Sequence, residues 1–283
     1  MDGLLFLCLT IVFSSGVALT MKAANHRQVN LGHFLVVNYA VCTTALMASG
    51  GWRHMGTISL QVWLLGIFVG CMYVVCLWLF DKAITAAGLA LSTTLMRLSA
   101  AIPTLGSLIF YAEQTSHFQI MGMVLAFFCL PLASQEPLLS RRGGGRALKG
   151  MSWGILLFAA YGITDFSFKI LAELEPLADP KAFMIPIFGT ALLVTLPSLL
   201  KQGKPKKNSL IWGTVLGLTN VLTTYFWFRA LAHIPGSIAF PTLGLGVIAI
   251  TTLAGLMIWH EKLRPANYLF LGLACLAVLL INS

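Results

Sequence analysis

Long apolar runs separated by short polar joints dominate the chain. Ten such runs read as membrane-spanning helices, near 2–22, 31–48, 62–80, 87–110, 117–133, 150–171, 182–200, 209–228, 236–258 and 266–282. Several sit near the lower limit of about 17 residues for crossing the hydrocarbon core. The runs are continuous, whereas the strands of a membrane barrel alternate apolar and polar residues. The pattern therefore predicts an all-α polytopic membrane protein. Pro103 and Pro241 fall inside the fourth and ninth runs and predict bends there. The first run, Gly3 to Met21, follows Asp2 and precedes Lys22, without the positive segment that opens a secretory signal. It is expected to be a first span and not a cleaved leader.

Composition sharpens this picture. Of 283 residues, 58% are hydrophobic and only 10% charged. A soluble domain carries about 25% charged residues, so there is no room for a sizeable one. The net charge of +9 lies almost wholly in the joints. Basic joints set membrane orientation, and a nucleic-acid partner is not expected. Cys8, Cys42, Cys71, Cys76, Cys129 and Cys275 all fall within apolar runs and read as packing residues. No phosphate-binding loop supports direct ATP coupling. The histidines are scattered, without the spacing of a metal site or of an enzyme acting on lipid-linked substrates. No cofactor is expected; coupling to a proton or sodium gradient fits the remaining chemistry.

The chain also repeats itself. Displaced by 148 positions, Phe80 falls on Phe228, Gly88 on Gly236, Thr94 on Thr242, Leu95 on Leu243, Leu105 on Leu253 and Glu113 on Glu261. A displacement of 147 places Lys22 on Lys169. The unit is five spans: residues 1–133 form one repeat, 134–149 a basic glycine-containing linker, and 150–283 the second repeat. An odd number of spans per unit turns the two halves upside down relative to each other. Many secondary transporters have such inverted repeats, with the substrate near the midplane between them.

Each half then shows the same order: a helix-starting glycine, a span, a glutamate and a final span. The stretches are Gly88…Tyr111-Ala112-Glu113…Gly122 and Gly236…Trp259-His260-Glu261…Gly272. This order resembles the EamA-type branch of the drug/metabolite transporter superfamily, over nearly the whole chain. The resemblance implies ten helices around a central cavity lined mainly by spans 1–4 and 6–9. It implies transport of amino acids, metabolites, drugs, sugars or choline-like compounds across the inner cell membrane. The implied partners are a small-molecule substrate and the lipid bilayer. Ten duplicated spans can enclose a cavity alone, so a monomer or a homodimer is expected.

Orientation is read two ways. Lys22, Arg27, Lys82, Arg141, Arg142, Arg146, Lys149, Lys201, Lys204, Lys206, Lys207, Lys262 and Arg264 lie on one side, against Arg53, Lys181 and Arg229 on the other. The positive-inside rule puts the rich side in the cytoplasm and both termini outside. The family resemblance implies both termini in the cytoplasm.

Arg97 is the most informative residue, because it stands near the middle of a span. A guanidinium at bilayer depth costs about 2.5–3.5 kcal/mol on insertion scales, so it faces a bundle interior or wet cavity and has a partner. On one continuous helix its face would hold Thr93, Ala100, Ala101 and Thr104, with Thr94 beside it. Arg97 can grip a carboxylate or phosphate with two parallel hydrogen bonds; equally it can pair with Asp165 and fasten two helices. The repeat places Leu245, flanked by Gly244 and Gly246, at the matching position. Asp165 and Lys169 are one turn apart, a spacing that permits an internal ion pair, with Tyr161 and Gly162 nearby. Asp165 reads as a gate or proton-sensitive group. Lys169 reads as a helix-end residue that snorkels to the interface. Asn38 and Asn220 are amides within spans, suited to interhelical hydrogen bonds or to a cavity wall. Tyr73 and Tyr225 can line a cavity, while Trp78 and Trp227 suit the interfacial belt. Glu113 and Glu261 are expected to cap or orient joints. The composite expectation is a secondary transporter for a small anionic or zwitterionic metabolite anchored on Arg97. Export of hydrophobic cations or drugs, held by Asp165 and Tyr161, is the alternative.

Overall fold

The computed structural model describes residues 2–87, 89–133, 144–176, 178–203, 205–260 and 264–283. Gly88, Glu261, positions 134–143 of the linker, and Lys204 and Lys262 of the charge tally lie outside the described residues. Among the described residues the regular structure is all helical. The helices are α1 (Asp2–His26), α2 (Leu31–Ala48), α3 (Leu60–Ala87), α4 (Leu89–Leu98), α5 (Ala101–Phe110), α6 (His117–Cys129), α7 (Gly144–Leu174), α8 (Pro180–Thr195), α9 (Pro197–Gln202), α10 (Lys207–Leu231), α11 (Gly236–Trp259) and α12 (Pro265–Ile281). Among the described residues they group into ten helical stretches, because α4 continues into α5 and α8 into α9. Among the described residues seven helical stretches are long and apolar enough to span a bilayer by themselves, and His117–Leu132 and Pro265–Ile281 are shorter apolar helices.

Local chemistry sets the ends. Asn30 accepts the His33 N–H at 3.1 Å and starts α2. Ser116 and Gln119 form a reciprocal capping box at the start of α6. Asp179 caps α8, whose first residue is Pro180, where a missing N–H costs nothing. His260 adopts a left-handed conformation (φ 51°) that closes α11.

The chain divides into two compact units, each drawing on both halves of the sequence. One comprises residues 1–74 and 170–233, the other 75–169 and 234–283. In the first unit α10 packs along α1 and α2, and α2 also packs on α8. Gly217 explains the close approach of α10 to α2. A Cβ there would lie 2.7 Å from the Val41 Cβ and 2.8 Å from the Asn38 carbonyl oxygen. Gly213, one turn earlier, meets Val37 and the Phe34 carbonyl in the same way. Small residues bring membrane helices together because lipid supplies no hydrophobic drive between them. Gly217→Val is expected to cost about 1–3 kcal/mol, since the obstructing atoms include backbone. A detergent melting curve checks this; an unchanged midpoint would show that α2 and α10 can slide apart without loss.

The second unit has an apolar cluster between α6 and α12. Met123, Ala126, Cys129, Phe270, Ala274, Ala277 and Ile281 are buried there, with Leu245 of α11 against them. α11 packs on α5. α3 meets α7 through the Cys76 thiol and Thr164 hydroxyl at 3.5 Å, and through an edge-on Trp78–Trp153 pair. Trp78 is exposed. Trp227 instead is buried in the first unit, because its helix is covered by α1 and α2.

Candidate functional site

The fourth crossing is interrupted beside its charge. α4 ends at Leu98 and α5 begins at Ala101. Pro103 has no N–H to donate to the Ser99 carbonyl four residues earlier. That carbonyl takes the Ile102 N–H at 2.9 Å, and Ala100 bonds back to Arg97 at 3.3 Å, so the turn tightens. The proline thus acts one turn upstream of itself. The continuous face expected through Ala101 and Thr104 does not exist. Thr93 keeps its place one turn before Arg97, Thr94 is buried, and the Thr104 hydroxyl is spent on the Ala100 carbonyl at 2.7 Å.

α7 lies directly against this break. Gly162 sits on Ile102, and Gly106 lies under the Phe166 ring, so a Cβ at either position would collide. With the helices this close, Tyr161 and Asp165 fall within electrostatic reach of Arg97. All three side chains are half-buried. Arg97 and Asp165 form no direct ion pair with each other. The guanidinium and the carboxylate can therefore address opposite charges on one small ligand, with a phenol beside them.

Lys169 does not pair with Asp165, and it does not snorkel. Its side chain is only 3% exposed, and its Nζ stands 2.9 Å from Glu113 Oε1. The Tyr111 ring lies 5.3 Å from the same ammonium. Glu113 also accepts the Gly236 N–H on Oε1 and the Ser237 N–H on Oε2, both at 2.8 Å. Pro235 offers no side-chain cap to α11; Glu113, 123 positions away from Gly236, supplies one. Burial opposes its charge, yet the Ser237, Lys169 and Gly236 donors hold its pKa below the ordinary carboxylate range. Lys169 is thus part of a helix-capping network.

The remaining candidates belong to the first unit or stand apart. Asn220 Nδ2 donates to Asn38 Oδ1 at 3.3 Å, which fastens α10 to α2. Tyr73 packs against Tyr39 and Phe188, with centroids 6.4 and 6.1 Å away. Tyr225 lines a cavity of about 760 Å³ with His54, Glu175, Asp179 and Arg229. Glu175 and Arg229 extend into an adjoining space of about 360 Å³. Arg229 figures in the sequence reading only as an orientation charge, because it stands at a span end. A side chain at Gly244 would meet nothing within 4 Å, while Leu245 is buried. Among the described residues no three His, Cys, Asp or Glu side chains gather as a metal site.

Comparisons with known proteins agree with this architecture. Residues 148–283 match the model of the EamA-like transporter family. A stretch of 89 residues is 32% identical to a probable 4-amino-4-deoxy-L-arabinose-phosphoundecaprenol flippase subunit ArnE of Klebsiella pneumoniae, covering 31% of this chain and 77% of that protein. The corresponding subunit of Salmonella paratyphi C is 29% identical over 30% of this chain and 75% of its own length. An uncharacterised protein of Haemophilus influenzae is 28% identical over 72% of this chain and 69% of that protein. One crystal structure superposes with a TM-score of 0.79 at 15% identity, covering 99% of this chain and 97% of the other; it speaks for the fold alone. An all-helical architecture, with seven stretches among the described residues long and apolar enough to span a bilayer, and these matches make the chain a multi-pass inner-membrane protein that belongs to the EamA-like transporter family.

Proposed function

We propose that this transporter moves a small anionic or zwitterionic metabolite by secondary-active alternating access, with Arg97 as its anchor. The observation that carries the reading is the meeting of Arg97, Asp165 and Tyr161 at an interrupted helix. A broken helix at bilayer depth is tolerated where it lines a cavity. Arg97 binds the anionic group and Asp165 receives an ammonium where the substrate has one. The ArnE relatives carry in their name a molecule with both an amine and a phosphate, and such a pairing of charges suits this constellation.

We read residues 1–133 and 150–283 as inverted repeats that rock around this site. Their equal-ranking spans pair with each other in support: α2 packs on α8, α5 on α11, and α6 on α12. The second reading, export of cations or drugs, rests on Asp165 and Tyr161 and would leave Arg97 as a counter-charge. A thermal-stability panel of amino acids, organic acids, sugar phosphates and cationic drugs separates the two. Ligands that bind only the folded state raise the melting temperature by mass action. Stabilisation by anions or zwitterions is expected; stabilisation by cations alone would hand the lead to the second reading. Asp165→Asn, reconstituted in proteoliposomes with the stabilising compound, is expected to lose gradient-driven accumulation and keep exchange. Normal accumulation by that variant would remove Asp165 from the coupling.

A further inference from the structure

A separate cleft in the first unit is assembled as an anion site. It encloses about 490 Å³ where the turn between α1 and α2 meets the start of α10. α10 runs for 25 residues and makes no side-chain cap at Lys206. The N–H groups of its first turn lack intrahelical partners, and they form the positive end of the helix dipole. Lys206, Asn208 and Ser209 line the cleft on that side.

The facing wall adds charge and donors. Gln28 takes a left-handed conformation (φ 50°), and the Val29 N–H bonds back to the Ala24 carbonyl at 3.1 Å. This turn holds Arg27 at the cleft, where its guanidinium lies over the Trp212 ring at 5.3 Å. Beneath it sits His33, only 4% exposed, with both ring nitrogens lacking a partner. An imidazole buried and unbonded costs free energy unless a ligand uses it. Among the described residues no carboxylate lines the cleft.

We infer that this cleft binds a phosphoryl group, held by Arg27, Lys206, His33 and the first amides of α10. Donors arrive from the turn, from α2 and from α10, which suits a tetrahedral anion better than a planar carboxylate. Uncapped helix starts take phosphate readily, and basic pockets between membrane helices take anionic headgroups. The group can belong to a phospholipid or to a soluble phosphate compound.

The test uses the full chain in detergent. Inorganic phosphate is titrated at constant ionic strength against chloride, with melting temperature as the readout. Retention of phosphatidylglycerol is measured in parallel by native mass spectrometry. The variant Arg27→Gln/Lys206→Gln changes two exposed side chains, so its unliganded melting temperature should match the wild type. At least a tenfold loss of phosphate affinity, of lipid retention, or of both is expected. Loss confined to phosphate identifies a soluble source, and loss confined to the lipid identifies a headgroup. A control, Arg53→Gln/Lys82→Gln, removes the same charge elsewhere and should bind normally. Absence of binding by both probes, or equal losses in the control, would overturn the assignment.

Discussion

Glu113→Gln should be the most destabilising conservative change in this protein. It leaves the Lys169 ammonium, 3% exposed, without its carboxylate. It also weakens the cap on the Gly236 and Ser237 amides. Removing one partner of a buried pair costs about 3–5 kcal/mol, a fall in melting temperature on the order of 10 °C for a chain of this size. Lys169→Met should cost less, because Glu113 keeps two amide donors and the helix dipole. The double variant should recover more than half of the loss, since the Lys169 charge is removed together with its Glu113 carboxylate. The pH dependence has a definite sign. Glu113 is more acidic in the folded chain than in the unfolded one. Its contribution is therefore complete above the unfolded carboxylate value of about 4.3. It is lost as pH falls through the lower folded value. Wild type and Glu113→Gln should accordingly converge in melting temperature only under strong acid. If Lys169 were instead paired with Asp165, Glu113→Gln would be nearly silent and Lys169→Met the damaging change.

That contrast shows where sequence reading stops. The spans were legible because apolar runs and capping residues act locally: the second and fifth crossings, for example, start where Asn30 and Ser116 end the preceding joints. Arg97 was legible because a lone charge in an apolar run has few explanations. Lys169 was not, because spacing offers only neighbours on the same helix, and its partner lies on another. The same holds for Asn38 and Asn220, each visible as a buried amide but separated by 182 positions. Pro103 announced a bend, yet the break appears at the carbonyl it fails to satisfy, which moved the polar stripe off Arg97's face. Arg229 was hidden by its position at a span end, where a cation is already explained by orientation.

Arg97→Ala should weaken substrate binding roughly a hundredfold while leaving the protein at least as stable as before. A guanidinium gripping an anion through two charge-assisted hydrogen bonds contributes about 3 kcal/mol or more. Its removal should weaken binding roughly a hundredfold. Arg97→Lys keeps the charge but loses the planar fork, so an intermediate loss is expected. Stability carries the discriminating sign. A charge at bilayer depth costs about 2.5–3.5 kcal/mol to insert, and Arg97 forms no direct ion pair with Asp165 to offset that cost. Replacing it with a small apolar residue should therefore hold or raise the melting temperature in the absence of substrate. A structural partner of Asp165 would behave in the opposite way: Arg97→Ala would lower the melting temperature, and Asp165→Asn added to it would restore stability. Measuring both variants with and without the compound found in the ligand panel separates the outcomes. Lost ligand response with intact stability assigns Arg97 to the substrate. Lost stability with an unchanged ligand response would make it a helix fastener and move the anchor of transport to Asp165 and Tyr161.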